Sequence, residues 1–391
     1  MEKPKIRFLK NKNSWVRNTF EEIAKRRTKS SDNPDLPRIE YQDIISGEGR
    51  LSKDLNKNID CRKGIVFETN DILYGKLRPY LKNWLHPNFN GIALGDFWVL
   101  QARNCDSKFL FSLVQSPKFQ RVVNDTSGTK MPRSDWKTVS QTEFSIPTSN
   151  DEQSAIGSLF RTLDELLTSY KDNLVNYQSL KAAMLSKMFP QAGQTIPEIR
   201  LDGFEGEWEV VNLGTLIENF DEVISGTSGF PIATSSRKGL YLQNDYFEGG
   251  RTGIDLTLDF HRVPIGYVTY RHMSDDSIFK FNKNNFETDV LVSKEYPVFI
   301  NNDNSDIDFL LYHLNNSRLF LRFSTMQKLG GTRVRLYYKN LITYKLAVPT
   351  VKEQQAIGIY FSNLDNLINS HQEKISQLET LKKKLLQDMF I

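Results

Sequence analysis

Ile146-Pro147-Thr148, followed by Glu152-Gln153, Ala155-Ile156-Gly157, Phe160, Leu163-Asp164, Leu166 and Ser169, is a stretch that the chain writes twice. Its second copy runs Val348-Pro349-Thr350, Glu353-Gln354, Ala356-Ile357-Gly358, Phe361, Leu364-Asp365, Leu367 and Ser370. From Glu152 onward the offset is a constant 201, with a one-residue gap just after the proline. The match continues through Leu180-Lys181 with Leu381-Lys382 and ends at Met188-Phe189 with Met389-Phe390. Identities held in one register over such a length mark an internal repeat, which has to be recognised before any fold is assigned.

Both copies predict long helices. Pro147 and Pro349 lie just upstream, and polar or acidic residues suited to a first turn follow. Phe361, Leu364, Ile368, His371, Ile375, Leu378, Leu381, Leu385 and Met389 are spaced by threes and fours, as are Leu159, Leu163, Leu166, Tyr170, Leu174 and Tyr177. A stripe so narrow predicts a coiled-coil seam built from Leu163, Leu166, Tyr170, Leu174, Tyr177, Leu364, Ile368, His371, Ile375, Leu378 and Leu385. The competing arrangement lays each helix on its own domain's core. Two similar helices in one chain pair most simply with each other, antiparallel, with the globular parts at opposite ends. Gln372, Lys374, Lys382, Lys383 and Lys384 are expected on a solvated outer face.

Weaker echoes precede each copy. Ile6-Arg7-Phe8 with Trp15 and Phe20 recurs as Ile199-Arg200-Leu201 with Trp208 and Leu213; Asp106, Phe109 and Leu110 recur as Asp306, Phe309 and Leu310. Gly128-Thr129-Lys130 recurs as Gly331-Thr332-Arg333. The expected fold is therefore α+β, two mixed α/β modules separated by an antiparallel coiled coil of two long helices and related by a pseudo-twofold repeat. Module boundaries fall at 1–146 and 199–347, spacer helices at 147–190 and 348–391, and a linker at 191–198. Strands are predicted at Ile65–Phe67, Ile72–Tyr74, Ile92–Leu94, Phe97–Leu100, Tyr267–Tyr270 and Val290–Val292. Amphipathic helices are predicted over Phe109–Val123, interrupted by Pro117, and over Phe309–Phe323.

Composition narrows the function classes. The 391 residues are 39% hydrophobic and 25% charged, with a mean hydropathy of −0.47. No apolar run approaches the ~18 residues of a membrane span, and Met1–Lys12 is too polar for a signal peptide. The two cysteines, Cys61 and Cys105, build no disulfide framework and fit a reducing cytoplasm; five scattered histidines do not complete a zinc site. Residues 1–146 hold 26 basic and 17 acidic side chains, against 16 and 19 in residues 199–347. The first module is the better place for a polyanion to dock.

No nucleotide-binding, methyltransferase, nuclease or zinc-protease signature is found, which favours a chain without chemistry of its own. Four predicted loops instead combine cations, aromatics and small polar residues. The first carries Lys76, Arg78, Tyr80 and Lys82; the second Ser127, Gly128, Thr129, Lys130 and Arg133. The third carries Tyr270, Arg271 and His272, and the fourth Gly331, Thr332, Arg333 and Arg335. Glycine lets backbone amides approach phosphate, Thr and Lys/Arg bind it, and Arg can grip guanine bidentately. Any one such loop also reads as an ordinary solvated turn. Recurrence of Gly-Thr-Lys/Arg at matching places favours DNA. His86, His261 and His313 read as packing or surface residues rather than ligands.

Variable module, long helix, variable module, long helix, with Ile/Val-Pro-Thr and Glu-Gln-x-Ala-Ile-Gly leading each helix, resembles the specificity (S) subunit of type I restriction–modification enzymes. The resemblance covers the whole chain and includes Phe204-Glu205-Gly206-Glu207-Trp208 at the start of the second module. It implies two target recognition domains, each reading one half of a bipartite site in double-stranded DNA, and a helical spacer that seats two methyltransferase (M) subunits. Restriction (R) subunits would join them. S-adenosylmethionine would belong to M, and ATP and magnesium to R, so no cofactor or metal is expected on this chain. The net acidity of 199–347 departs from what a DNA reader suggests. A coiled-coil scaffold that binds only proteins is the alternative from another class, and an enzyme with an unfamiliar site is a third.

Overall fold

The computed structural model describes residues 4–8, 14–52, 62–125, 130–246, 255–328 and 333–390. The chain divides into two compact units, residues 1–173 with 371–391 and residues 174–370. Among the described residues, six helices have seven residues or more. They are α1 (Ser107–Gln115), α2 (Pro117–Val123), α3 (Asn150–Lys187), α4 (Ile307–Asn316), α5 (Arg318–Met326) and α6 (Val351–Met389).

In the first unit, Trp15–Thr19 pairs antiparallel with Glu143–Pro147, so the module's first and last strands meet at the root of α3. One four-stranded sheet orders Ala24–Arg26, Phe97–Ala102, Ile72–Gly75 and Trp84–Leu85. A second orders Ser30–Ser31, Gly64–Phe67, Gly91–Ala93 and Arg38–Ile39, the last pair parallel. The strands expected from Ile65 to Leu100 are these. Phe20, Trp98, Phe109, Phe119, Phe144 and Phe160 fill the main core.

The second unit repeats the plan. Glu209–Asn212 pairs antiparallel with Lys345–Val348 at the root of α6. A four-stranded sheet orders Ile217–Phe220, Val298–Asn301, Val268–Tyr270 and Phe281–Lys283, beside a three-stranded one of Val223–Ser225, Asp259–Val263 and Val290–Ser293. Trp208, Tyr270, Phe281, Phe299, Phe309 and Phe361 form its core.

The helix expected over Phe109–Val123 is two helices. Ser116 leaves helical geometry and accepts a hydrogen bond from the Phe119 amide, while Pro117 takes the first position of α2, where a missing N–H costs nothing. The helix expected over Phe309–Phe323 is also two. Ser317 caps α5 through the amides of Leu319 and Phe320, with no proline to announce the break.

The residues repeated in sequence make matching contacts. Arg7 donates to Glu152 at 2.6 and 2.7 Å, and Arg200 to Glu353 at 2.7 Å through both Nε and Nη2. Gln153 accepts from the Asp106 amide and donates to the Pro147 carbonyl; Gln354 does the same with Asp306 and Pro349. Asp106 and Asp306 cap α1 and α4. A Cβ on Gly157 would stand 2.6 Å from the Phe109 amide nitrogen, and one on Gly358 would stand 2.8 Å from an Asp306 carboxylate oxygen. The Glu-Gln-x-Ala-Ile-Gly motif is thus a joint. It fixes α3 to the capped start of α1 and α6 to the capped start of α4.

The long helices pair, and in opposite directions. Within the first unit, Phe160 lies 5.8 Å from Phe390, Lys382 bonds Asp164 at 2.6 Å, Lys171 bonds Glu379 at 2.7 Å, and the Tyr170 and His371 rings are 5.2 Å apart. Within the second, Lys181 bonds Asp365 and Phe189 lies 6.2 Å from Phe361. Leu163 and Leu378 are buried in the first core, with Tyr170, Ile375 and Leu385 against it; Leu364 is buried in the second, with Tyr177 against it. Leu174, Ile368 and His371 are half-buried.

Two expectations about this face are corrected. Leu166 is 42% exposed and Leu167, at 8%, takes the buried place, because here α3 packs on its own unit's core as well as on α6 and its buried face is turned. Leu367 is likewise exposed. Lys382 is not on a solvated face; it reaches Asp164 and donates to the Gln115 amide oxygen at 2.7 Å. Gln372, Lys374, Lys383 and Lys384 are exposed. No helix among the described residues is long and apolar enough to cross a membrane.

Candidate nucleic-acid interface

In the first unit the two predicted loops come together. The Arg78 amide donates to the Pro132 carbonyl at 2.7 Å, Leu77 bridges Arg133 antiparallel, and the Ser134 amide donates to the Lys76 carbonyl. The segment leaves the Ile72–Gly75 strand and turns sharply through Pro79–Leu81, a single turn of 3-10 helix. Arg78 and Lys82 flank that turn in the left-handed region, φ +50° and +55°. Lys76 lies 3.6 Å and Arg133 2.8 Å from Asp96, which therefore holds both cations. Arg78, Tyr80, Lys82 and Lys130 are exposed. Tyr41 lies beneath, its hydroxyl donating to the Asp96 carbonyl and accepting from the Leu77 amide. Burial pushes that phenol up to about 12, so it stays a neutral strut. Ser127, Gly128 and Thr129 lie outside the described residues.

The second unit joins its loops in the same manner. Met273–Ser274 pairs antiparallel with Val334–Arg335, and the Leu336 amide donates to the His272 carbonyl. Arg271, Arg333 and Arg335 are exposed, with Arg333 2.8 Å from Asp275. Two predicted residues are not at the surface. Tyr270 is fully buried and donates its hydroxyl to the Leu336 carbonyl at 3.0 Å. His272 is 4% exposed, its ring stacked on Tyr337, and burial lowers its pKa. The burial of Tyr270 follows from strand alternation. Val268–Tyr270 is a central strand, so its aromatic end belongs to the core while Arg271, one residue on, faces out. Gly331 and Thr332 lie outside the described residues.

The remaining titratable groups serve packing. His86 stacks on Phe111 at 5.3 Å and is held down to about 4 by burial, as is His313, which bonds the Tyr344 hydroxyl at 2.9 Å. His261 bonds Asp221 and the Tyr296 carbonyl. The half-buried Cys105 thiol is pushed up to about 12; Cys61 lies outside the described residues. Sequence reading missed Asp96 and Tyr41. A carboxylate among cations was visible at Gly95-Asp96, but its loop partners are distant in sequence.

Residues 229–380 match the family model of the type I restriction modification DNA specificity domain. Over that stretch the chain is similar to the specificity subunits of type I restriction–modification enzymes. A relative named type I restriction enzyme MjaVIII specificity subunit, from Methanocaldococcus jannaschii, is 22% identical over 355 residues, covering 83% of this chain and 79% of its own length. The crystal structure of a type I restriction–modification S subunit from M. genitalium superposes with a TM-score of 0.60 at 13% identity, over 100% of this chain and 99% of that one. An HsdS subunit from Thermoanaerobacter tengcongensis aligns over 96% of each chain at 17% identity, with a TM-score of 0.43. The matched specificity domain takes in Arg271, Arg333, Arg335 and most of α6.

Proposed function

We propose that this chain recognises DNA sequence for a type I restriction–modification complex, each unit reading one half of a bipartite duplex target. The long helices α3 and α6 act as the spacer that sets the unread gap, and their exposed faces seat two M subunits, to which R subunits add. The chain carries no chemistry of its own in this reading. S-adenosylmethionine is used by M, ATP and magnesium by R, and the assembly works in the cytoplasm.

One observation carries the reading. In both units two loops far apart in sequence are hydrogen-bonded into one patch that presents exposed cations, Arg and Lys in the first and Arg in the second, in a chain whose residues 229–380 match the specificity-domain model. Paired backbones hold those cations in place, which is what phosphate positioning and base readout need. The patch in the second unit is local, in keeping with a module that is acidic overall.

Mobility of duplex DNA tests it directly. With M subunits present, the chain is expected to retard duplexes carrying its target and to be displaced as salt rises. Unchanged mobility across all sequences would favour the protein-only scaffold instead.

A further inference from the structure

The turn from Arg78 to Lys82 is built at a cost. Two non-glycine residues in the left-handed region within five positions are strained, and such strain persists only where surrounding structure over-determines it. Here it does. The Arg78 amide is tied to Pro132, the Leu81 and Lys82 amides to Arg78 and Pro79 within the turn, the Gly47 amide to the Lys82 carbonyl at 3.0 Å, and the Ser46 hydroxyl to the Leu81 carbonyl. Pro79 is buried beneath. What this rigid turn lifts into solvent is Tyr80, 56% exposed, with Leu81 beside it and the exposed cations Arg78 and Lys82 on either side.

Lys76 and Arg133, by contrast, are both engaged by Asp96. With two flanking cations able to hold phosphates and so fix the turn's register, the ring at its tip is free to meet a base edge, where an aromatic side chain makes apolar contact with a thymine methyl.

The geometry points to Tyr80 as a specificity-determining residue: its ring packs on a base in the half-site read by the first unit. This rests on the DNA-recognition reading above and deepens it. A rigid support keeps the ring's position from adapting to a different base pair, so one position of one half-site is fixed by it.

The test compares methylated motifs directed by the whole chain co-expressed with its M subunits. Tyr80→Ala is expected to lose roughly tenfold discrimination at one base pair of one half-site, leaving the other half-site unchanged. Tyr80→Phe is expected to rescue it, since the ring carries the contact. Tyr80→Lys separates base from phosphate. A base-reading role predicts lost discrimination, whereas tighter binding to every sequence would place Tyr80 on the backbone and overturn the proposal. A Tyr80→Ala motif identical to the wild type would overturn it too, while a wild-type chain that directs no methylation would sink the DNA-recognition reading itself.

Discussion

His313 sits in the second core against Phe189 and Tyr344, and burial holds its imidazole at about 4, so it is neutral when the chain is folded. An unfolded histidine takes up its proton near its ordinary 6.5. The unfolded state therefore binds more protons between 6.5 and 4, and the stability His313 contributes is complete above 6.5 and lost as pH falls toward 4. The loss amounts to about 3 kcal/mol. Urea unfolding followed through hydrogen exchange in the second unit should steepen across this window, and His313→Gln should flatten that slope. A separate residue-scale prediction concerns Lys382. Removing its ammonium leaves Asp164 inside, where burial already raises the carboxyl's pKa. Lys382→Ala should cost about 2 kcal/mol of first-unit stability, measured in urea.

At the scale of elements, the joints were legible as a pattern before their purpose was. Repeated Glu, Gln and Gly stood out in the sequence because each meets geometrically fixed neighbours, an arginine for Glu, a backbone amide and carbonyl for Gln and the capped helix start for Gly, and such contacts tolerate little change. The seam was less legible. Leu166 and Leu167 are one residue apart on the helix, and which is buried depends on the sheet-bearing core beside α3, a partner that helical spacing does not report. Tyr270 and His272 were misread for a related reason: their residue types suit a DNA loop, but Tyr270 ends a central strand and His272, two residues on, is buried against Tyr337. Two element-scale outcomes follow. Phe390→Ala removes a ring packed between Phe109 and Phe160 and should destabilise the first unit by about 3–5 kcal/mol in thermal or urea unfolding. Inserting a heptad into both α3 and α6 adds ~10 Å, so the unread gap of the methylated motif should widen by ~3 base pairs.

At the scale of the whole molecule, the plan of the chain suits the proposed reading of two half-sites: each unit owns a core, a joint and a loop pair, and each takes one stretch of both long helices. That plan was readable because the 201-residue offset survives in the joints. The loops were readable only by composition, since their neighbours lie some fifty residues away along the chain. The most direct test is the methylome of cells co-expressing this chain with its M subunits. Two short methylated blocks around a gap of fixed length are the predicted result; a continuous methylated motif, or no methylation that depends on this chain, would contradict the account.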